Sequence, residues 1–374
     1  MSQTMNIKNK LHQQVVVERI AGIDWDRNGS SAPLVVEFDT TEVCNLACPG
    51  CISEDLVCNQ TSFSDTRLME IAKEMFGAGV KAVILIGGGE PLAHPAVGNF
   101  IEYLGEHDIH IGITTNGSFL DRYMELIGEY SEWTRVSVDA ASSEMFGKLR
   151  PSKSGKNEFY HIIENMRKLA QVKKGKLGYS YLIRTESDGF GIESNIHEIY
   201  DAAVLARDIG CDYFEIKPSY CYEGGQPHAL VKHSYERMAQ ARAEISLLDE
   251  LETDKFKIVK AINLEASLKC VQQKQEKNYT RCPVAELRTL ITPSGVYICP
   301  YWRGKSEYSY GDAHGTFFSD IWNSKRRREV MDFADPSVKC QFHCLRHESN
   351  IEILDMLHCN MKDIEIVPEY DRFI

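Results

Sequence analysis

The chain has 374 residues, of which 43% are hydrophobic and 26% charged, so it is large and apolar enough to bury a full core. Its formal net charge of −12 argues against a nucleic-acid partner, because phosphate contacts need a basic face. Residues 1–14 are polar, and no apolar run approaches the roughly 18 residues of a membrane span. We therefore expect a cytoplasmic protein with neither a secretory signal nor a membrane partner.

Apolar runs alternate with helix-like patterns over about the first two-thirds of the chain, which is typical of repeated βα units around a parallel sheet. Helices are predicted at Thr66–Phe76 and Asn195–Asp208, and residues 292–295 are predicted as the turn of a later hairpin between Leu287–Ile291 and Val296–Ile298. The basic run at 325–328 is interpreted as a solvated helix face. The six predicted strands are Leu34–Phe38, Ala82–Ile86, Ile109–Thr114, Trp133–Val138, Leu177–Ile183 and Tyr213–Ile216.

Three cysteines follow the first predicted strand with the spacing Cys-x3-Cys-x2-Cys, namely Cys44, Cys48 and Cys51. Iron–sulfur clusters are usually held by four thiolates, so this loop would bind three irons of a cubane and leave one iron open. A structural zinc site is the alternative, but it needs a fourth ligand at short spacing, and Cys58 lies seven residues past Cys51. Twelve cysteines without a secretory signal indicate metal binding rather than disulfides.

The second predicted strand ends in the sequence Ile86-Gly87-Gly88-Gly89-Glu90-Pro91. Together with the cysteine loop, this segment resembles the radical S-adenosylmethionine (radical SAM) superfamily. The resemblance implies an α/β fold with a partial (β/α)6 TIM-like barrel, in which the three cysteines bind a [4Fe-4S] cluster and S-adenosylmethionine chelates the fourth iron. It also implies a 5'-deoxyadenosyl radical that abstracts hydrogen, and a one-electron donor such as flavodoxin or ferredoxin.

Polar residues at the predicted strand ends are candidates for binding S-adenosylmethionine. Glycines let the backbone approach a ligand closely, although a tight turn also explains them, and the resemblance assigns the acidic residue after them to the cofactor's ammonium group. Short polar side chains can bind a ribose but also cap turns, and an arginine suits a carboxylate but also forms surface salt bridges. The candidates are Gly87, Gly88, Gly89, Glu90, Asn116, Ser137, Asp139 and Arg184.

One position departs from the superfamily pattern. The residue before the third cysteine is commonly aromatic in that family and packs near the adenine, whereas here it is Gly50. The departure suggests that another side chain, such as Ile52, covers that face.

A second set of cysteines, Cys282, Cys299, Cys340 and Cys344, resembles the twitch and SPASM extensions of the superfamily. Four cysteines close one auxiliary [4Fe-4S] cluster completely, so we expect the one-cluster twitch form, with zinc as the alternative. The predicted segments are an N-terminal extension (1–32), the radical SAM barrel (33–225), a helical linker (226–280) and an auxiliary-cluster domain with a tail (281–374).

The residues that carry the chemistry on the substrate are harder to predict. Cys221, just after the sixth strand, is the candidate hydrogen-atom donor, although free cysteines are more often core fillers. Because the stretch before Cys44 is short for a peptide-recognition domain, we predict a small polar metabolite (a sugar, aminocyclitol or nucleoside-type intermediate) as substrate. The reaction would be dehydrogenation, epimerisation or decarboxylation in natural-product biosynthesis. The alternatives are a peptide- or protein-modifying maturase and an electron carrier without turnover.

Overall fold

The structure is a computed structural model that describes residues 7–27, 29–223, 226–270, 275–359, 361–369 and 372–374. Residues 1–6 and 28 of the predicted extension, 224–225 at the predicted end of the barrel, 271–274 of the linker, and 360, 370 and 371 of the tail lie outside the described residues. None of the described helices is both long and apolar enough to cross a membrane.

The six predicted strands are confirmed. Among the described residues, eight parallel strands form the centre of one ten-stranded sheet in the order β12-β11-β10-β1-β2-β3-β4-β5-β6-β9, and β7 and β8 form a separate hairpin. The α/β class and the mostly parallel sheet agree with the predicted partial barrel. The strands are β1 (Val35–Phe38), β2 (Ala82–Leu85), β3 (His110–Thr115), β4 (Ser131–Ser137), β5 (Lys176–Ile183), β6 (Tyr213–Pro218), β7 (Tyr220–Glu223), β8 (Gln226–Leu230), β9 (Lys257–Lys260), β10 (Arg288–Thr292), β11 (Gly295–Tyr297) and β12 (Ser309–Gly311).

Helices connect the parallel strands. The helix predicted at Thr66–Phe76 is part of α4, and the one predicted at Asn195–Asp208 is a 3-10 turn at Ile196–Glu198 followed by α9. The helices are α1 (Ile7–Leu11), α2 (Gln14–Ala21), α3 (Glu54–Asn59), α4 (Asp65–Ala78), α5 (Val97–Glu106), α6 (Met124–Tyr130), α7 (Ser143–Leu149), α8 (Phe159–Val172), α9 (Ile199–Ile209), α10 (Tyr235–Leu247), α11 (Leu264–Leu268), α12 (Phe318–Trp322), α13 (Lys325–Phe333), α14 (Pro336–Lys339) and α15 (His347–His358).

The local sequence explains where α4 begins and ends. The hydroxyl of Ser64 accepts a hydrogen bond from the N–H of Arg67, which caps the first turn. Gly79 ends the helix at φ 81°, a left-handed conformation that a glycine adopts without strain. Between these caps, Leu68, Ile71 and Met75 recur at helical spacing and are buried in the core.

The two faces of the parallel sheet differ in polarity. Successive side chains of a strand point to opposite faces, so Phe38, Val136 and Phe214 face the helices and belong to the main hydrophobic core. The opposite, inner face carries charged residues. On that face Arg135 of β4 forms an ion pair of 3.0 Å with Glu215 of β6. The main core therefore lies between the sheet and the helices, while the inner face carries this polar region and, at β1 and β2, a second apolar cluster.

The hairpin predicted in the final third is confirmed as β10 and β11, joined across Thr292 and Gly295. It is not isolated from the barrel strands, because β10 pairs in parallel with β1, with Val35 opposite Arg288 and Phe38 opposite Ile291. The hairpin therefore extends the same sheet. The boundary predicted at residue 281 remains a prediction.

The interpretation of the basic run 325–328 as a solvated face is wrong for Arg327. This arginine is 2% exposed, forms an ion pair with Glu286 and stacks on Trp322 at 3.8 Å from the ring centroid. Glu286 also accepts a hydrogen bond of 2.9 Å from the N–H of Ser30. The pair therefore joins the N-terminal segment, the turn before β10 and α13.

Candidate active site

The cysteine loop lies after β1, at the carboxyl end of the parallel strands, and neighbouring segments hold it on two sides. The N–H of Glu90 donates to the carbonyl of Val43 at 2.9 Å, and the N–H of Ala47 donates to the carbonyl of Pro151 at 2.7 Å. Parallel sheets commonly place their reactive groups at this end. The loop is therefore fixed by main-chain contacts from the segments after β2 and after α7.

The three thiols of the loop form one partly buried group. Burial is the main cause that raises the pKa of Cys44 to about 11, and the charges of Glu90, Cys48 and Cys51 add to it. A thiolate is the form that binds metal, and it needs a nearby positive charge to exist at neutral pH in such surroundings. This donor set fits iron, which would supply that charge.

Arg150 supplies a further positive charge here, and sequence reasoning missed it. Its Nη1 lies 4.0 Å from Sγ of Cys48, and its Nε donates to Oδ2 of Asp139 at 2.9 Å. Burial would lower the pKa of Arg150, but the charges of Asp139 and Cys48 outweigh burial and raise it. No local pattern marks this arginine, because only the fold brings residue 150 to the loop.

Asp139, predicted as a ribose ligand, has a different setting in the structure. It is 5% exposed and has φ 63°, and its Oδ1 accepts from the N–H of Leu182 at 2.8 Å while Oδ2 accepts from Arg150. The carboxylate thus orients Arg150 toward the cysteines. Ser137 ends β4 on the polar inner face, the same face as Arg135.

Glu90 joins the carboxyl ends of β2 and β3. It is 2% exposed, and it accepts hydrogen bonds from Oγ1 of Thr115 at 2.6 Å, the N–H of Asn116 at 2.7 Å and the N–H of Leu92 at 3.1 Å. Burial raises its pKa to about 7. Both carboxylate oxygens have partners within the protein, so the geometry assigns Glu90 a structural role, and its predicted contact with the cofactor's ammonium group stays a prediction.

Asn116 and Arg184 both contact the cysteine loop. The Nδ2 of Asn116 donates to Oδ1 of Asn45 at 2.8 Å and lies 3.9 Å from Sγ of Cys44. Arg184 is buried, forms an ion pair with Asp188 and donates to the carbonyl of Pro49 at 3.2 Å. The salt bridge expected in the alternative is therefore present but buried rather than at the surface, and the predicted contact of Arg184 with the cofactor's carboxylate stays a prediction.

The face left open by Gly50 is covered by Phe190 rather than by Ile52. Gly50 has φ 67°, and a Cβ built on it would lie 2.4 Å from the ring of Phe190. The guanidinium of Arg184 lies 5.7 Å from the centroid of that ring, while Ile52 is 62% exposed. Phe190 follows β5 in the chain, so no local spacing connects it with the cysteine motif.

The four later cysteines line one cavity. Cys282, Cys299, Cys340 and Cys344 surround a space of about 50 Å³, several times the about 10–15 Å³ that one water needs. Two neutral donors point at the sulfurs: the N–H of Arg346 lies 3.3 Å from Cys344, and Nδ2 of Asn350 lies 3.4 Å from Cys282. Four thiols around one space, with N–H donors, fit an iron–sulfur cluster.

Cys221 lies in β7, opposite Ala229 of β8, and is half-buried. The hairpin β7–β8 follows β6 at the carboxyl end of the sheet, and β8 contacts the turn Pro300–Trp302 beside Cys299. This places the hairpin beside a turn that lines the cysteine-lined cavity. The role of Cys221 as hydrogen-atom donor stays a prediction.

Comparison with known families identifies the part of the chain that holds the cysteine loop. Residues 38–189 match the sequence model of the Radical SAM superfamily. The chain contains a radical SAM domain. The cofactors of this domain are a [4Fe-4S] cluster and S-adenosylmethionine, and its reaction requires a reductant. The radical SAM domain contains Cys44, Cys48 and Cys51 and all eight predicted cofactor-binding residues.

Individual relatives resemble the chain to different extents. The subtilosin biosynthesis protein AlbA of Bacillus subtilis is 22% identical over 84% of this chain and 64% of its own length. A GTP 3',8-cyclase of Synechocystis is 33% identical over 45% of this chain and 48% of its own length. The aligned part of this chain thus spans between about half and two-thirds of these relatives. The crystal structure of Streptococcus suis SuiB bound to precursor peptide SuiA has the same fold, with a TM-score of 0.58 and 15% identity over 81% of this chain and 67% of SuiB.

These comparisons contradict the prediction of a small polar metabolite as substrate. Two proteins that match over most of the chain, beyond the radical SAM domain, are an antilisterial bacteriocin biosynthesis protein and a protein crystallised with its precursor peptide. The match to the cyclase covers less than half of the chain. The prediction was wrong because it relied on the short segment before Cys44, which says nothing about how the rest of the fold meets a substrate.

Gly89, the last of the three consecutive glycines after β2, allows a test of how the cysteine loop is held. A Cβ on Gly89 would lie 2.3 Å from the carbonyl oxygen of Val43, which is backbone and cannot swing away. We expect Gly89→Ala to displace the loop, to lower iron binding by Cys44, Cys48 and Cys51, and to reduce the melting temperature by several degrees.

The matched control is Gly77→Ala in α4, where a Cβ meets nothing within 4 Å. This substitution is expected to leave iron content unchanged and to stabilise the protein by up to about 1 kcal/mol. The measurements are the iron content and the melting temperature of the two variants, each compared with the unsubstituted protein. Equal iron binding by the two variants would contradict the inference that the cysteine loop needs a glycine at position 89.

Proposed function

We propose that this protein is a radical SAM maturase that abstracts hydrogen from a carbon of a peptide or protein side chain. The observation that carries the proposal is the match to AlbA, which extends over 84% of the chain and so well beyond the length of the radical SAM domain. The fold shared with SuiB, which was crystallised with precursor peptide SuiA bound, supports it. Production of a peptide natural product is the corresponding biological role.

In this proposal Cys44, Cys48 and Cys51 hold three irons of the cluster. When bound, the cluster and S-adenosylmethionine supply a 5'-deoxyadenosyl radical. The protein's own residues position these groups: Arg150 places its charge beside Cys48, and Arg184 holds the loop through the carbonyl of Pro49. The backbone of Gly87–Gly89 and the side chains of Asn116 and Ser137 lie at the strand ends where the cofactor would bind.

The second part of the proposal is one auxiliary [4Fe-4S] cluster in the cavity lined by Cys282, Cys299, Cys340 and Cys344. This segment corresponds to the predicted twitch or SPASM-like domain. Zinc is the alternative occupant, and measured iron content separates the two. The reductant would be a flavodoxin or a ferredoxin, and a cytoplasmic location stays a prediction.

The inner face of the sheet offers the groups that would meet a polar segment of peptide. Glu215 lies between Arg135 at 3.0 Å and Lys217 at 3.3 Å, and Arg135 also donates to Oγ1 of Thr114 at 3.1 Å. The Nε of Arg135 is buried without a hydrogen-bond partner in the described part of the chain. Buried polar atoms of this kind usually have a partner, which a bound peptide would provide.

The experiment uses cells grown in deuterated medium, whose extract is separated into a small-molecule fraction and a peptide fraction. Reconstituted protein is incubated anaerobically with S-adenosylmethionine, dithionite and each fraction, and 5'-deoxyadenosine is analysed by mass spectrometry. The proposal expects deuterium in 5'-deoxyadenosine only with the peptide fraction, and its loss after protease treatment of that fraction. Deuterium transfer from the small-molecule fraction alone would refute the proposal.

A further inference from the structure

Lys277 is a buried lysine in the wall of the cysteine-lined cavity. Lys277 is 6% exposed, and it lines the same space as the four cysteines of the proposed auxiliary site. Its Nζ donates to the carbonyl of Phe342 at 2.9 Å and to the carbonyl of Gln275 at 2.8 Å. Phe342 lies between Cys340 and Cys344 in the chain, so the ammonium group sits directly against the segment that carries two of the sulfurs.

The charge of Lys277 has no carboxylate opposite it within the described ranges of the chain. The other two cations of the cavity wall, Arg288 and Arg346, both donate to the carboxylate of Glu37. Burial lowers the pKa of Lys277, and the acidic groups whose charge would raise it are Cys344, Cys340 and Cys282, in that order. A buried cation without a counter-charge is costly, so an anion is expected in this cavity.

An iron–sulfur cluster held by four thiolates is such an anion, and its negative charge increases on reduction. A fixed positive charge at short range stabilises the reduced form more than the oxidised form, and the low dielectric of a buried site strengthens the effect. Charge and hydrogen bonding near a cluster are known determinants of its reduction potential. The neutral N–H donors at Cys282 and Cys344 also stabilise the reduced form of the cluster, but they carry no net charge.

We propose that Lys277 is the counter-cation of the auxiliary cluster and raises the cluster's reduction potential, which makes the cluster a better electron acceptor. The inference rests on the auxiliary cluster proposed above. Lys277 would act through its charge on the cluster and is not a catalytic residue, because it touches neither substrate nor reacting atoms. A purely structural role, in which its two hydrogen bonds hold the segment 340–344, makes different predictions.

The test measures the potential of the auxiliary cluster by electron paramagnetic resonance during a redox titration. The full-length protein carries the Cys44, Cys48 and Cys51 to alanine substitutions, so that only the auxiliary cluster contributes a signal. Lys277→Gln keeps a hydrogen-bond donor without the charge, Lys277→Met loses both, and Lys277→Arg keeps the charge. Lys269→Met is the control, because it removes the same charge from a side chain that is 64% exposed.

We expect a clear shift of the potential to more negative values in the Gln and Met variants, and little change in the Arg variant and in Lys269→Met. Loss of iron from the Gln and Met variants, with iron retained by Arg, supports the same conclusion. Potentials in the Gln and Met variants that equal the parent's would overturn the inference, as would loss of iron in all three Lys277 variants. A parent protein without iron would instead refute the proposed auxiliary cluster, and this inference with it.

Discussion

Replacing Cys44, Cys48 and Cys51 together with alanine is expected to lower the iron content of the anaerobically reconstituted protein from about eight to about four per chain. Cleavage of S-adenosylmethionine should fall below detection. The physical reason is that the three thiols form one group at the carboxyl end of β1, and that each is needed to hold an iron of the cluster. Iron is measured colorimetrically, and 5'-deoxyadenosine by chromatography.

The control is the triple variant Cys58→Ala, Cys270→Ala, Cys359→Ala, which removes the same number of thiols from exposed positions. It should bind as much iron as the unsubstituted protein and cleave S-adenosylmethionine equally well. Iron falling from about four to none in the test variant would keep the radical SAM site but remove the auxiliary cluster. Retention of full cleavage activity by the test variant would disprove the assignment of these three ligands.

Replacing Cys282, Cys299, Cys340 and Cys344 with alanine is expected to remove the other four or so irons while leaving the radical SAM cluster in place. Reductive cleavage of S-adenosylmethionine without substrate should continue, whereas formation of modified peptide should be lost. The four sulfurs line one cavity beneath β10, and β10 pairs with β1 next to the first cysteine loop. We therefore also expect a melting temperature several degrees lower, since the cluster cross-links distant segments.

Cys211→Ala is the control for loss of a buried thiol, because Cys211 is 4% exposed and lies in the main core. It should lower stability without changing iron content. Loss of all iron from the four-cysteine variant would show that the two sites do not assemble independently. Unchanged iron, with zinc released instead, would identify the second site as a zinc site.

The sequence predicts the parallel strands well because their signal is local. Ala82–Leu85, for example, is a short apolar run buried on both faces, which is typical of a strand in a parallel sheet. The β10–β11 hairpin is predicted for a similar reason, since Thr292 to Gly295 is a short turn between two such runs. The cysteine loop is also local, with its three thiols within eight residues.

Residues that act across the fold could not be predicted from such patterns. Phe190 covers Gly50, Arg150 reaches Cys48, and Lys277 meets the segment between Cys340 and Cys344. In each case the partners are separated by tens of residues or more. An isolated arginine, lysine or phenylalanine looks the same in the sequence whether it is exposed or buried against a metal site.

The amino-acid sequence alone predicts the α/β class, the six strands β1 to β6 and the radical SAM cysteine motif, because each depends on neighbouring residues or a short repeat. The tertiary structure decided that β10 continues the sheet at β1, that Asp139 and Glu90 are engaged by the protein, and that four distant cysteines share one cavity. These features depend on which elements pack together, and the free energy of that packing is shared among contacts far apart in the chain. The composition of a local segment does not reveal which distant elements pack against it.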